Sequence, residues 1–163
     1  MALKKIQRAA INNLDDRANL ILLSNENYSF ARSAVEDTEA RWNITEENNG
    51  FTISGNNSII KADKPGWYNI NWSFITSPGA FTNIYSFVSW ASVRNSSGTE
   101  LYRIRGGRWL GPGTSAFPHL WGSGNAKLLK DYTVRILVEQ NYTSSWGSYT
   151  TSSSFNYLNI TEF

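Results

Sequence analysis

The sequence predicts an all-β sandwich of the jelly-roll kind, and three observations carry that prediction. Aromatic residues are abundant, with 7 Trp, 8 Tyr and 8 Phe among 163 residues, while charged residues make up only 17%. Disordered chains have the opposite composition. Turn signals recur at short intervals from Ser24 onward: Asn49-Gly50, Pro65-Gly66, Pro78-Gly79, Gly106-Gly107, Gly111-Pro112-Gly113 and Gly122-Ser123-Gly124. Between these signals the apolar residues repeat with period two, which gives roughly eight to ten short strands.

The N-terminal stretch follows a different rule. Leu3, Ile6, Ala10, Leu14, Ala18 and Ile21 recur every three or four residues with no Gly or Pro between 2 and 21. This spacing predicts an amphipathic helix, whose narrow stripe needs a partner to cover it. Residues 1–23 also hold the whole net charge, Lys4, Lys5, Arg8 and Arg17 against Asp15 and Asp16. The chain therefore divides into an attachment or oligomerisation arm, 1–23, and a neutral head, 24–163. A neutral head lacks the clustered Lys and Arg of a nucleic-acid face. No apolar run reaches the roughly 18 residues of a membrane span, so no membrane insertion is expected. Absence of cysteine removes disulfides, thiol catalysis and cysteine-bound zinc.

Within the head, alternation is clear in three segments, and a fourth is apolar throughout. In 67–75, Tyr68, Ile70, Trp72 and Phe74 share one side, opposite Trp67, Asn69, Asn71 and Ser73. In 132–139, Tyr132, Val134, Ile136 and Val138 oppose Thr133, Arg135 and Glu139. The stretch 84–93 is apolar on both sides, Ile84, Val88 and Trp90 against Tyr85, Phe87, Ala91 and Val93. The last strand, 154–163, sets Leu158 and Ile160 against Phe155, Tyr157, Asn159, Thr161 and Phe163. Thr143–Ser154, rich in Ser and Thr, reads as a loop before it. A monomeric sandwich needs one apolar row per strand. Aromatics on a second row point to a subunit interface, which favours such residues and excludes charge at its centre. Tyr85, Phe87, Phe155, Tyr157 and Phe163 are the expected interface residues. Tyr157→Lys is expected to disturb assembly more than Asn156→Lys.

Three segments in order resemble the tumour necrosis factor and complement globular-head superfamily. Ile59-Ile60-Lys61-Ala62-Asp63-Lys64-Pro65-Gly66-Trp67-Tyr68-Asn69-Ile70 is similar to its exposed strand, Pro-Gly-aromatic-Tyr turn and buried strand. Gly124 to Ile136 resembles its Leu, basic turn, Asp, aromatic and alternating strand, with Lys130 where the family usually has Gly. Ser154 to Ile160 resembles its closing strand. The resemblance covers about 100 residues. It implies a ten-stranded jelly roll that trimerises about a threefold axis through its inner sheet, with aromatics of the last strand at the contact. Phe155 and Tyr157 fall there.

Chemical motifs are sparse. His119 is the only histidine and has no Gly-x-Ser-x-Gly elbow beside it. The glycine-rich run 106–113 lacks the Gly-Lys-Ser/Thr ending of a phosphate loop. Acid pairs such as Glu46-Glu47 show no spacing suited to sugar cleavage. No catalytic residue, metal ligand or cofactor is expected, although an ion on a trimer axis would leave no trace in the sequence. Aromatics beside Gly, Pro or Ser (Phe81, Trp109, Phe117, Trp121, Trp146 and Tyr149) suit stacking on sugars, with His119, Arg103, Arg105 and Arg108 as polar partners. The same rings also suit closure of the sandwich ends. Seven Asn-x-Ser/Thr sequons occur, at Asn27, Asn43, Asn56, Asn71, Asn95, Asn141 and Asn159, and two of them lie inside expected strands.

The expectation is a non-enzymatic homotrimeric head at a virion surface, on a phage fibre, spike or head decoration. It would attach to a capsid or tail protein through 1–23 and bind a host glycan or another receptor. A purely structural capping or decoration protein is the first alternative, and a carbohydrate-active enzyme the second.

Overall fold

In the computed structural model the described residues are 17–24, 29–30, 38–75, 84–112, 119–140, 146–148 and 156–163. They form β1 (Asn19–Leu23), β2 (Ser29–Phe30), β3 (Thr38–Glu39), β4 (Ile44–Asn49), β5 (Phe51–Ser54), β6 (Ile59–Ala62) and β7 (Gly66–Ile75). These are followed by β8 (Ile84–Arg94), β9 (Glu100–Pro112), β10 (His119–Leu128), β11 (Thr133–Gln140), β12 (Trp146–Ser148) and β13 (Tyr157–Glu162). No helix occurs among the described residues. The five-stranded sheet has the order β10-β7-β13-β1-β4, and the second sheet runs β5-β6-β11-β8-β9 with β3 added on β11. All the pairings are antiparallel.

Alternation decides which side of each strand is buried. Tyr68, Ile70, Trp72 and Phe74 of β7 point inward, as do Leu158 and Ile160 of β13, Leu20 and Leu22 of β1 and Leu120 and Leu128 of β10. Val134, Ile136 and Val138 of β11 meet them from the opposite sheet with Ala91 and Val93 of β8. Phe87 joins this group. It is fully buried in the sandwich interior, so its expected place at a subunit interface is corrected.

Two further expectations are corrected by the pairing. Asn19–Leu23, expected as the end of the N-terminal helix, is a central strand between β13 and β4. The period of Leu20 and Leu22 there is two, and tertiary pairing decides the conformation. Residues 19–23, expected in the arm, thus belong to the sheet; residues 1–16 lie outside the described set. The chain enters through a clasp on the last strand: Ala18 N–H donates to Glu162 Oε2 at 2.9 Å, and Glu162 N–H donates to the Ala18 carbonyl at 2.9 Å. Lys64 pairs with the same carboxylate at 2.9 Å. Burial pushes the Glu162 carboxyl upward, but the Ala18 amide and Lys64 outweigh it and hold it below its ordinary range.

The glycine pairs were expected to turn the chain, and they do not. Gly106-Gly107 lies inside β9, and Gly122-Ser123-Gly124 inside β10. The two strands sit on different sheets whose edges close over the indole of Trp72. A Cβ at Gly122 would overlap that ring, and one at Gly106 would lie 2.8 Å from Trp72 Cζ2 and 2.7 Å from the Trp121 carbonyl oxygen. Glycine is required by close approach, with the Trp72 Nε1–H donating to Ser89 Oγ at 3.0 Å beneath it. By contrast Gly50 does turn the chain, at φ 86, between β4 and β5. At the β10–β11 turn, where Lys130 departs from the family pattern, Asp131 itself takes φ 66. Its side chain pairs with Lys61 at 3.3 Å.

Candidate functional site

The outward side of the five-stranded sheet gathers residues from two separate expectations onto one surface. Cross-strand partners define its rows. At one end His119 of β10 lies beside Ile75 of β7. The next row is Trp121, Ser73, Tyr157, Leu23 and Ile44. Then come Ser123, Asn71, Asn159, Ile21 and Glu47, followed by Asn125, Asn69, Thr161, Asn19 and Asn49. Lys127 and Trp67 close the far end, where the Phe163 N–H donates to the Trp67 carbonyl at 3.1 Å. On β1, β7, β10 and β13 alternation puts these residues outward, since their neighbours in sequence form the core.

Aromatic rings border both ends. Trp121 is 59% exposed and Tyr157 37% exposed; at the opposite end Trp67 is 52% and Phe163 62% exposed. Tyr157 and Phe163 were expected at an interface and Trp121 and His119 at a ligand, and the structure places all four on this single face. Phe155 and Tyr149 lie outside the described residues, and of Tyr85 and Trp146 only the strand positions, in β8 and β12, are described. The short β12 falls within the expected Thr143–Ser154 loop and pairs with β2.

Between the rings runs a strip of carboxamides that sequence reasoning did not single out. Asn71 Nδ2 donates to Asn69 Oδ1, and Asn69 Nδ2 donates to Asn125 Oδ1 at 2.8 Å. The Thr161 hydroxyl lies 2.9 Å from Asn159 Oδ1 and 3.2 Å from Asn19 Oδ1, and its single hydrogen serves one of them at a time. The signal was present in the outward rows of 67–75 and 154–163, but β1 and β10 supply the rest only through pairing. Formal charge on this face is confined to its edges, Glu47 on β4 and Lys127 on β10. His119 Nε2 sits 2.7 Å from the oxygen of Ser73, which is only 4% exposed. The rows around this pair carry no carboxylate to complete a triad.

The remaining expected ligand residues lie on the other sheet. Arg103 donates to Glu100 at 2.8 Å, and Arg108 Nε donates to Ser86 Oγ at 2.8 Å. Arg105 stacks over Trp90 at 5.6 Å, while Trp90 Nε1–H donates to Glu139 at 3.0 Å. Arg135 pairs with Glu39, whose carboxyl burial raises but the hydrogen bonds from Ser58 and Arg135 hold below its ordinary value. Trp109 is half-buried and packs on Phe87 with ring centroids 5.7 Å apart. Among the described residues no cluster of His, Cys, Asp or Glu could hold a metal.

Solved structures share this two-sheet arrangement. Murine APRIL superposes with a TM-score of 0.60 at 15% identity, over 90% of this chain and 99% of that one. Eiger TNF from S. frugiperda gives 0.59 at 10% identity, over 91% and 93%. The chain has a TNF-like jelly-roll fold. No protein-family model matches it, and no characterised protein matches it by sequence.

Proposed function

We propose that the chain is the homotrimeric jelly-roll head of a virion surface protein, a fibre, spike or decoration head. It assembles through the outward side of its five-stranded sheet and is tethered by the segment that precedes Ala18. The observation that carries the assembly is the uncharged, ring-bordered face, whose opposite edges bear opposite charges. A cyclic oligomer joins one edge region of a subunit to a different region of the next. Glu46 and Glu47 on the β4 edge and Lys127 on the β10 edge suit such a head-to-tail ring, and carboxamides, which both donate and accept, suit contact with their own kind.

With that face taken by assembly, receptor binding falls to the second sheet, where Arg105 over Trp90 offers a cation and a ring side by side. A host glycan is the partner this pair suits. Sequons at Asn71 and Asn159 lie mid-strand in the contact face, which supports an origin outside the glycosylating secretory route. Light scattering at micromolar concentration tests the assembly: the expected mass is three times the 18.4 kDa of the chain, and a monomer overturns it. A glycan array, with competition of particle adsorption by purified head, tests the receptor. Binding abolished by Arg105→Ala supports it; no binding and no competition favour the structural capping protein.

A further inference from the structure

We propose that the second sheet takes the acid group of an acidic sugar, a carboxylate or a sulfate ester held between Arg105 and Arg108; this deepens the receptor role proposed above and rests on it. The two arginines are three residues apart on β9, a spacing that sends side chains to opposite faces of a regular strand. The pairing explains why they share one face. Arg108 stands opposite Val88 and Arg105 opposite Trp90, so Gly106 and Gly107 together oppose the single residue Ser89. This is a β-bulge on the edge strand of the sheet, a device that re-aims side chains. The flanking residues give the direction: Ile104 and Trp109 pack on the buried cluster, while Arg105 and Arg108 are exposed. A Cβ at Gly106 would overlap Ser89 Oγ, so the extra residue fits only without a side chain.

Because their partners Val88 and Trp90 are two residues apart, the two arginine stems stand about 7 Å apart. Two forks at that separation can converge on the oxygens of one carboxylate or sulfate, which arginine meets through paired N–H donors. Existing contacts set these two apart from the other arginines of the sheet. Arg94 and Arg103 pair with Glu100, and Arg135 pairs with Glu39. Among the described residues, Arg108 instead holds the Ser86 hydroxyl through Nε at 2.8 Å, which uses one of its five N–H donors.

Arg105 decides between acidic and neutral sugars. Its guanidinium stands over the Trp90 ring, 5.6 Å from the centroid, so the pair presents a cation where a neutral sugar needs a bare ring to stack on. The acid on this side, Glu139, is bonded to the Trp90 Nε1–H at 3.0 Å and faces Val88 from β11. It stands two strands from Arg108, about 10 Å away with β8 between them.

A glycan array of matched pairs, each pair differing only in one acid group, tests this on the full chain. A carboxylate marks one set and a sulfate ester the other, and the set that binds identifies the oxyanion. Titrations with the binding members are then repeated on variants. Arg108→Gln is expected to weaken binding by about tenfold to a hundredfold, the worth of charge-assisted hydrogen bonds. Lys61→Gln removes the same charge from β6 of the same sheet, where Lys61 pairs with Asp131, and should bind as wild type. Neutral members that bind as well as acidic ones, or wild-type binding by Arg108→Gln, overturn the bridge and leave the receptor role on Arg105. An equal loss in Lys61→Gln also overturns it, since diffuse charge then suffices. If no member binds and the purified head does not compete with particle adsorption, the receptor role falls and the bridge with it.

Discussion

The two outward sheet faces solve the same problem in opposite ways. On the six-stranded side three acids are matched within the subunit: Glu100 takes Arg103 and Arg94, Glu39 takes Arg135, and Glu139 takes the Trp90 indole, while Arg135 Nε and Thr133 Oγ1 are buried without a partner among the described residues. Those acids need no second copy to satisfy them. The five-stranded face has almost no charge and more amide donors than its own bonds use, with large rings exposed at both ends. The acceptors are not all served either, since the single Thr161 hydroxyl hydrogen reaches Asn19 Oδ1 or Asn159 Oδ1 but not both at once. The contrast teaches that polar content alone does not mark a solvent face; what matters is whether the polar groups are already paired.

The sharpest way to break this contrast is to put the same charge on both sheets. Tyr157→Lys should abolish the trimer, since an uncompensated buried charge costs about 3–5 kcal/mol at each contact. Leu110→Lys, at an exposed apolar position of β9, should leave both mass and stability near wild type. Analytical ultracentrifugation distinguishes them, and equal trimer fractions would remove the five-stranded face from the interface. Asn156→Lys cannot serve as the mild partner expected from the sequence. Asn156 is fully buried, accepting the Ile75 N–H at 2.9 Å and bonding Ser24. A lysine there should unfold the end of the sheet.

Next in size is the seam where the two faces' sheets meet. Gly122→Ala drives a methyl into the Trp72 ring and should cost about 1–3 kcal/mol. At Gly107 the same methyl meets its nearest neighbour at 3.3 Å, a backbone oxygen that needs only a small shift, so Gly107→Ala should cost clearly less. Urea titration of both variants ranks them, and a milder Gly122→Ala would contradict the packing described here.

These glycines also show what was legible in the sequence. Period-two alternation identified β7, β11 and β13 and the inward side of each, because burial on one face leaves that pattern directly in the chain. Glycine pairs read as turns because no local signal separates a residue that must bend the chain from one that must let another strand approach. Phe87 and Trp109 carried the same ambiguity: an aromatic on a doubly apolar strand fits an interface or a core, and only the opposite sheet decides. For the candidate site, Asn69, Asn71, Asn159 and Thr161 were visibly on outward rows. Their union with Asn19 and Asn125 depends on β1 inserting beside β13, and the helical spacing of 2–21 hid that strand.

A smaller effect is expected at the clasp, where the start of β1 meets the end of β13. Because the folded state holds the Glu162 carboxyl low, its contribution is present above the ordinary carboxylate range and fades as pH falls through the lowered value. Glu162→Gln should lose about 1–2 kcal/mol near neutrality, where the charge-assisted bond to Ala18 is worth most. Below about pH 3 wild type and variant should converge. Thermal melts across pH would show the two curves meeting in acid; parallel curves would mean that the carboxylate does not hold the chain's entrance.

The smallest effect should come from the six-stranded face. Arg103 shares Glu100 with Arg94 and stands in solvent, where ion pairs contribute about 0–1 kcal/mol. Glu100 is held below its ordinary value first by the hydrogen bond from Arg103, then, against the effect of burial, by the bond from Ser92. Removing Arg103 leaves Ser92, at 2.7 Å, and Arg94 in place. Arg103→Ala should therefore lower stability by less than about 1 kcal/mol, leave the trimer mass unchanged, and lose even that difference at high salt. A loss of assembly in this variant would show that the six-stranded face, despite its internal pairing, also carries a contact.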